Sequence, residues 1–236
     1  MPTFQRRPMS QRVAIMQPYF FPYAGYFRLF AAADLFVVLD CVQFPRRGYV
    51  HRNRITSSRE QPDWLTLPLE KGDRDSTRIC DLRFPPSARE ALIEQFRRFP
   101  CLLNLQARAP DLSCSVLDFT RSPTDYLVEN LRNTTKMLGL SRPIVLSSAL
   151  DVPSELKAQD RIIEIARRVG AQHYINPPGG RALYEAAPFA RAGLTLNFLS
   201  DYQGSSKSIL ERLLTENCAD ILGEISQKTQ LDRVTP

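Results

Sequence analysis

This chain has few of the usual tools for chemistry. Its histidines are His51 and His173, and its five cysteines (Cys41, Cys80, Cys101, Cys114, Cys218) are widely spaced with no CxxC pair. A His-based metal site, a zinc cluster or a Cys/His nucleophile would have to be assembled from distant segments, so no metal is expected. No P-loop, Ser-His-Asp set or paired carboxylates competes. Five other groupings carry chemical potential. QPYFFPYAGYFRLF (Gln17 to Phe30) packs seven of the chain's twenty-two aromatic side chains beside two prolines and a glycine. Arg52-Asn53-Arg54 brackets an amide with two guanidinium groups. Asp40 closes an apolar run. NPPGG spans Asn176 to Gly180, with Gly179 and Gly180 last, and Ser206-Lys207-Ser208 precedes the apolar pattern ILERLL.

Each grouping has a chemistry and a plainer alternative. In the first, Gln17, Tyr19 and Gly25 are candidate ligand contacts. Prolines fix the path of the loop, and Gly25 lets a ligand approach a backbone whose helix N-terminus offers unpaired N–H groups to an anion. Alternatively the aromatics glue helix to sheet, the role assigned to Phe27 and Phe30. On an extended segment Arg52 and Arg54 point to one face and Asn53 to the other, giving either a clamp for a diphosphate or carboxylate or a salt-bridged surface strand. Asp40 either meets a ribose or sugar hydroxyl or a proton, or caps a turn. Asn176, Gly179 and Gly180 form a second place where backbone can touch a ligand, or a plain turn. Ser206 and Ser208 can cap a helix, but Lys207 at a helix N-terminus is misplaced unless an anion lies near.

The elements that must position these groups follow from periodicity. Val13–Met16 and Leu35–Leu39 read as short buried strands with a helix at Tyr26–Ala33 between them, the unit of a parallel sheet. Trp64–Leu69 and Ile79–Phe84 read as a hairpin around KGDRDS. Ala88–Leu140 reads as helical, with Ser122-Pro123 as a start and Gly139 as a stop. Alternation then resumes: PIVLSS as strand, ELKAQDRIIEIARRVG as helix ending at Gly170, QHYIN as strand, GGRALYEAAPFARAG as loop and helix, and LTLNFL as strand. The expected fold is α/β: a parallel Rossmann-like sheet with helices on both faces and a mainly helical insertion at 85–141. The expected organisation is a flexible leader (1–12) and a single domain (13–236).

With 43% hydrophobic residues in 236, the chain can bury a core. The longest apolar stretch, Leu29–Leu39, is broken by Asp34, so no membrane span is expected. The N-terminus lacks the apolar segment of a signal peptide, and the cysteine pattern fits a reducing cytoplasm. The net charge of +6 is concentrated, since residues 1–60 hold nine Lys/Arg against three Asp/Glu. Such asymmetry implies an anionic partner, a small nucleotide-linked substrate or an RNA, or else a solvated basic face.

The stretches IMQPYFFPYAGYFRLFAAADLFVVLD, VQFPRRGYVHRNRI, WLTLPL, IVLSS, HYINPPGG and SILERLL together resemble the WbqC-like family over nearly the whole chain. Members of that family occur among bacterial genes for O-antigen, other surface polysaccharides and natural products, which implies work on sugar or amino-sugar intermediates. The resemblance favours function for Asn53 and Arg54, which lie in its signature. A second likeness is to the HxGH region of nucleotidyl-transferring enzymes of the HUP class. Its four positions fall on Tyr23, Ala24, Gly25 and Tyr26, and that class's Lys/Ser-rich loop falls on Gly204–Leu214. This likeness implies catalytic roles for Tyr23, Tyr26 and Lys207. Tyrosines in place of histidines supply neutral donors rather than positive charge, so either Arg52, Arg54 or Lys207 supplies the missing charge or the fold binds a substrate whose anion is never attacked. Three functions remain. One is transfer of an acyl or aminoacyl group, glycyl included, to an amino sugar or similar amine. The second is the same transfer from an aminoacyl-tRNA, and the third is a non-catalytic nucleotide or nucleotide-sugar binding module. The first is favoured, with a nucleotide or nucleotide-linked donor as the cofactor-like component.

Overall fold

A computed structural model describes residues 11–73 and 76–234. The chain is α/β and Rossmann-like, built on a six-stranded, mostly parallel sheet. The strands are β1 (Arg12–Met16), β2 (Leu35–Val38), β5 (Ile144–Leu146), β6 (His173–Asn176), β7 (Thr195–Leu199) and β8 (Leu231–Arg233). Their spatial order is β5-β2-β1-β6-β7-β8. The first five are parallel, with Val13 opposite Leu35 and Tyr174 opposite Leu196, and β8 closes the edge antiparallel to β7.

Continuous apolar runs such as LFVV suit strands covered on both faces. Because side chains alternate along a strand, each run feeds two cores. Val13, Ile15, Leu35, Val37, Tyr174 and Phe198 pack with Ile162 and Ile165 of α6 (Ala158–Arg168) and Phe189 of α7 (Ala186–Arg191). Ala14, Phe36, Val38, Ile175 and Leu199 pack instead with Phe27 and Phe30 of α1 (Ala24–Ala32), Leu210 of α8 (Ile209–Thr215), and Ile221 and Ile225 of α9 (Cys218–Gln227). Phe30 stacks on Phe36 at 4.2 Å between ring centroids, so the glue role expected of the α1 phenylalanines is what they do.

Between β2 and β5 the chain builds a two-stranded antiparallel ribbon, β3 (Arg52–Thr56) with β4 (Pro62–Thr66), and then α2 (Ala88–Phe96), α3 (Leu105–Arg108), α4 (Pro110–Val116) and α5 (Pro123–Met137). α5 begins as its sequence dictates: the Ser122 hydroxyl accepts the Asp125 N–H, Pro123 follows, and Gly139 ends the run at φ +67°. The hairpin differs from expectation. β4 pairs backward with β3, and Ile79–Asp81 forms a 3₁₀ turn instead of a strand. Pro68 lacks the N–H that an extension of β4 would need. The Ile79 and Cys80 N–H groups are taken by the Val42 and Asp40 carbonyls, which leaves no ladder to build. Of the expected leader, residues 1–10 lie outside the described residues, and Arg12 already belongs to β1, paired with Asp34 at 2.8 Å. Two residues of the expected KGDRDS turn, 74 and 75, also lie outside them. Among the described residues no helix is long and apolar enough to cross a membrane.

Candidate functional site

Outward from β1 the chain runs to β2 and then β5; it returns beside β1 as β6 and continues the other way. The order of strands therefore reverses between β1 and β6, and the loops leaving their carboxyl ends part to open a crevice. A cavity of about 400 Å³ lies there. The β1 loop and α1 supply Tyr19, Tyr23, Gly25, Tyr26 and Arg28; the β6 loop supplies Pro177, Pro178 and Gly179; Tyr49, Asn53 and Ser206 close the remaining sides.

The β1 loop holds its shape because its apolar half is buried and its carbonyls are tied down. Phe20 and Phe21 are buried and meet edge to face at 5.0 Å. Asn53 Nδ2 donates to the carbonyls of Phe20 (3.2 Å) and Phe21 (2.6 Å), and the Ser208 hydroxyl donates to Phe21 O (2.8 Å). The Ile209 N–H reaches Pro22 O, and Phe20 N–H reaches Tyr49 O. Asn53 and Ser208 thus clamp the loop from two sides, while Tyr19 and Tyr23 turn to the cavity. Gly25 sits where a Cβ would come within 2.2 Å of the Tyr23 ring and 2.8 Å of Tyr202, so only glycine leaves both rings in place.

Electrostatically the cavity favours negative charge. Burial raises the pKa of Tyr19, Tyr23 and Tyr26, so all three are neutral O–H donors at physiological pH. The Tyr26 hydroxyl is committed to the Gln17 carbonyl at 2.8 Å, and Gln17 enters the site through that carbonyl. Tyr19 and Tyr23 keep their hydroxyls without a partner among the described residues. Tyr23 stands at the N-cap of α1 and provides no side-chain acceptor; its carbonyl takes the Tyr26 N–H at 3.0 Å, and these first-turn groups border the cavity. Beneath them lies Arg28, 1% exposed, its guanidinium donating to the carbonyls of Gly25, Ser200 and Lys228 and lying 5.0 Å from the Tyr202 ring. Among the described residues no carboxylate lies within ion-pair distance of it, and Asp201 acts on it only at longer range. Burial lowers its pKa, yet a guanidinium keeps its charge in a protein.

The other expected residues fall in distinct places. Asn176 is buried against Gly180, whose Cβ would strike its amide at 1.8 Å, and Gly179 lines the cavity with open space above it. Ser206 lines the cavity, but Lys207 is exposed and ion-paired to Glu211 at 2.8 Å. Glu211 also accepts from the N–H and hydroxyl of Thr56; burial pushes its pKa up, but Lys207 and Thr56 outweigh it and hold it below the usual range. Ser208 caps α8 by accepting Leu210 N–H. Asp40 is away from the cavity lining. Its carboxylate accepts from the Ser147 hydroxyl, the Ser148 N–H and the Ser148 hydroxyl, clipping the end of β2 to the turn after β5. Arg52 and Arg54 do share one face, opposite Asn53, but that face carries the Trp64 ring, 4.2 Å and 4.9 Å from the two guanidinium carbons. Asn53 faces the cavity, whereas neither arginine lines it.

Arg28, Tyr49, Trp64 and Tyr202 were not singled out from sequence. A charge in the middle of the apolar helix AGYFRLFAA was the available signal for Arg28; the other three depend on contacts between distant segments. Among the described residues no group of three or more His, Cys, Asp or Glu is placed to hold a metal.

Residues 17–206 match the WbqC-like protein family, and the chain belongs to it. The chain is also 25% identical over 208 residues to an uncharacterized protein, Rv1507c, of Mycobacterium tuberculosis (strain ATCC 25618 / H37Rv), covering 82% of this chain and 84% of that one. No solved structure matches.

Proposed function

We propose that this member of the WbqC-like family transfers an acyl or aminoacyl group, glycyl included, from an activated donor to the amine of an amino sugar or a related amine. The observation that carries the reading is the charge of the cavity. A buried Arg28 and a Tyr23 hydroxyl, neither hydrogen-bonded to nor ion-paired with a side chain among the described residues, and a helix start without a side-chain cap converge on one aromatic-walled space. Such an array stabilises negative charge as it develops on a carbonyl oxygen, in surroundings of low dielectric where it counts most.

Among the described residues the lining offers no cysteine, histidine, carboxylate or lysine. The acyl group therefore passes directly from donor to acceptor. The amine lone pair forms the C–N bond, the carbonyl oxygen takes up negative charge facing the donors, and the C–O or C–S bond to the leaving group breaks as the amine loses its proton to solvent. The protein contributes proximity, orientation and neutral hydrogen bonds. Tyr23 is the catalytic donor in this scheme, Tyr26 and Asn53 are positioning residues, and Lys207 acts through the Glu211 pair that holds the Ser206 loop. Donor and acceptor occupy the crevice in contact with Tyr19, Gly25 and Gly179.

The test is to incubate the protein with an acyl-adenylate or acyl thioester and an amino-sugar acceptor, and to follow the N-acyl product by mass spectrometry. Tyr23→Phe should lower turnover about a hundredfold with little change in KM, the scale set by losing one oxyanion donor. Saturable ligand binding with no product under any donor would leave a binding module. Product that forms only from charged tRNA, with binding that falls steeply with salt, would make the enzyme RNA-dependent.

A further inference from the structure

An unbroken file of aromatic rings leads out of the cavity to the protein surface. Tyr26, on the floor, lies 5.5 Å from Tyr19; Tyr19 lies 5.8 Å from Tyr49; and Tyr49 lies 5.9 Å from Trp64 on the ribbon. Tyr19 and Tyr49 line the cavity, while Tyr49 is also 45% exposed, so the file crosses the rim. At its outer end Arg52 and Arg54 lie on the Trp64 ring.

The two guanidinium groups are held but not neutralised. Neither has an ion-pair partner among the described residues, although Asp63 is the next residue to Trp64; its carboxylate is taken by Arg98 at 2.7 Å. Among the described residues the Arg54 guanidinium makes no hydrogen bond, and that of Arg52 makes a single long one, Nε to Gly48 O at 3.4 Å. Contact with the indole face restrains both side chains, which lowers the entropic cost of binding a ligand, and leaves N–H groups available. Two planar cations held over one indole ring match the oxygens of a diphosphate, and tyrosine faces match the C–H faces of a pyranose ring.

We propose that Arg52, Trp64 and Arg54 form the diphosphate subsite for a nucleotide-linked amino sugar. The sugar reaches the cavity along Tyr49 and Tyr19, and the nucleoside projects outward beyond the ribbon. This rests on the reading of the cavity as an acyl-transfer site, and it names the acceptor class. The subsite reads phosphate charge and spacing, so the identity of the base matters little.

Trp64 is the chain's single tryptophan, so its fluorescence reports on this subsite alone. Titration with UDP, ADP, UMP and uridine should give saturable quenching by the two diphosphates with affinities within about threefold of each other. UMP should bind about tenfold more weakly, and uridine should show no saturation. Arg54 is exposed and makes only the Trp64 contact, so Arg54→Lys should fold as the parent does, a point checked by circular dichroism. It should nevertheless bind UDP about tenfold more weakly, because charge is retained but the two-pronged hydrogen bonding is lost. Four results would overturn the proposal: no saturable quenching by UDP, equal affinity for UDP and uridine, unchanged affinity in Arg54→Lys, or a single-stranded oligonucleotide that binds far more tightly than UDP with a steep salt dependence. UDP quenching with no acyl product would leave this subsite standing and remove the transferase reading. Product formed equally well from a free amino sugar, with Arg54→Lys turning over like wild type, would do the reverse.

Discussion

The site's shape depends on one amide, and substituting it is the most direct test of the geometry. Asn53 is 6% exposed and makes three hydrogen bonds: Nδ2 to Phe20 O and Phe21 O, and Oδ1 from the Arg54 N–H at 2.7 Å. In Asn53→Ala, Phe21 O retains the Ser208 hydroxyl, but Phe20 O loses the amide that held it. Buried hydrogen bonds contribute about 1 kcal/mol each, and an orphaned buried acceptor costs about 1–3 kcal/mol, so the loss should be about 2–4 kcal/mol. For a chain of this size that corresponds to about 5–15 °C in Tm. Asn53→Asp should be worse than alanine at neutral pH, since it replaces a donor with a charged acceptor facing two carbonyl oxygens. That carboxyl will have its pKa raised in the folded state, because only the protonated form can donate. As pH falls from 8 toward 5 the folded protein gains a proton before the unfolded chain does, and the Asp variant should recover stability relative to Ala. Urea unfolding of the three proteins across that range gives the answer through Cm at constant m. An Asp variant as stable as wild type at pH 7, or a gap between Asp and Ala that does not narrow with acid, would refute the clamp.

Two further outcomes test the surroundings. Gly25→Ala gains about 0.5–1 kcal/mol of helix preference but forces the Tyr23 and Tyr202 rings aside. Its unfolding free energy should stay within about 1 kcal/mol of wild type while KM for the amine acceptor rises at least tenfold, and unchanged kinetics would remove Tyr23 from the site. His51, whose Nδ1 is buried without a partner among the described residues, has its pKa pushed down to about 4 by burial and secondarily by Arg52. Its ring should remain neutral by NMR at pH 6. Below pH 6.5 the unfolded chain takes up a proton that the folded one refuses, so its contribution to stability is lost as pH falls from 6.5 to 4; a ring titrating near 6.5 would contradict the packing.

The sheet was legible because buried parallel strands announce themselves. VAIM, DLFVV, PIVL, HYIN and LTLNFL are short apolar runs separated by helical periods, and each became a strand or its core. The end of α5 was equally plain, because a glycine at positive φ is written in the residue itself. β3 was not legible: RNRIT has one apolar residue, and its inward Asn53 is held by loop carbonyls more than thirty residues away. ICDLRF has the composition of a strand but no partner, since the neighbouring backbone is used in single hydrogen bonds.

The sequence by itself determined the strand-loop-helix unit, the aromatic loop after β1, and the local excess of charge, since each depends on residues within a few positions of one another; it placed Arg52 and Arg54 opposite Asn53 only on the condition that the segment is extended. Only the tertiary structure decided that Asp40 is buried against Ser147 and Ser148, that Lys207 lies at the surface on a Glu211 also held by Thr56, that Arg28 lies beneath the cavity with no carboxylate at ion-pair distance among the described residues, and that Tyr26, Tyr19, Tyr49 and Trp64 join into one file. Pairing and stacking act over a few ångströms between segments far apart in the chain, and which groups meet is set by how the β1 loop, the ribbon and α8 pack together.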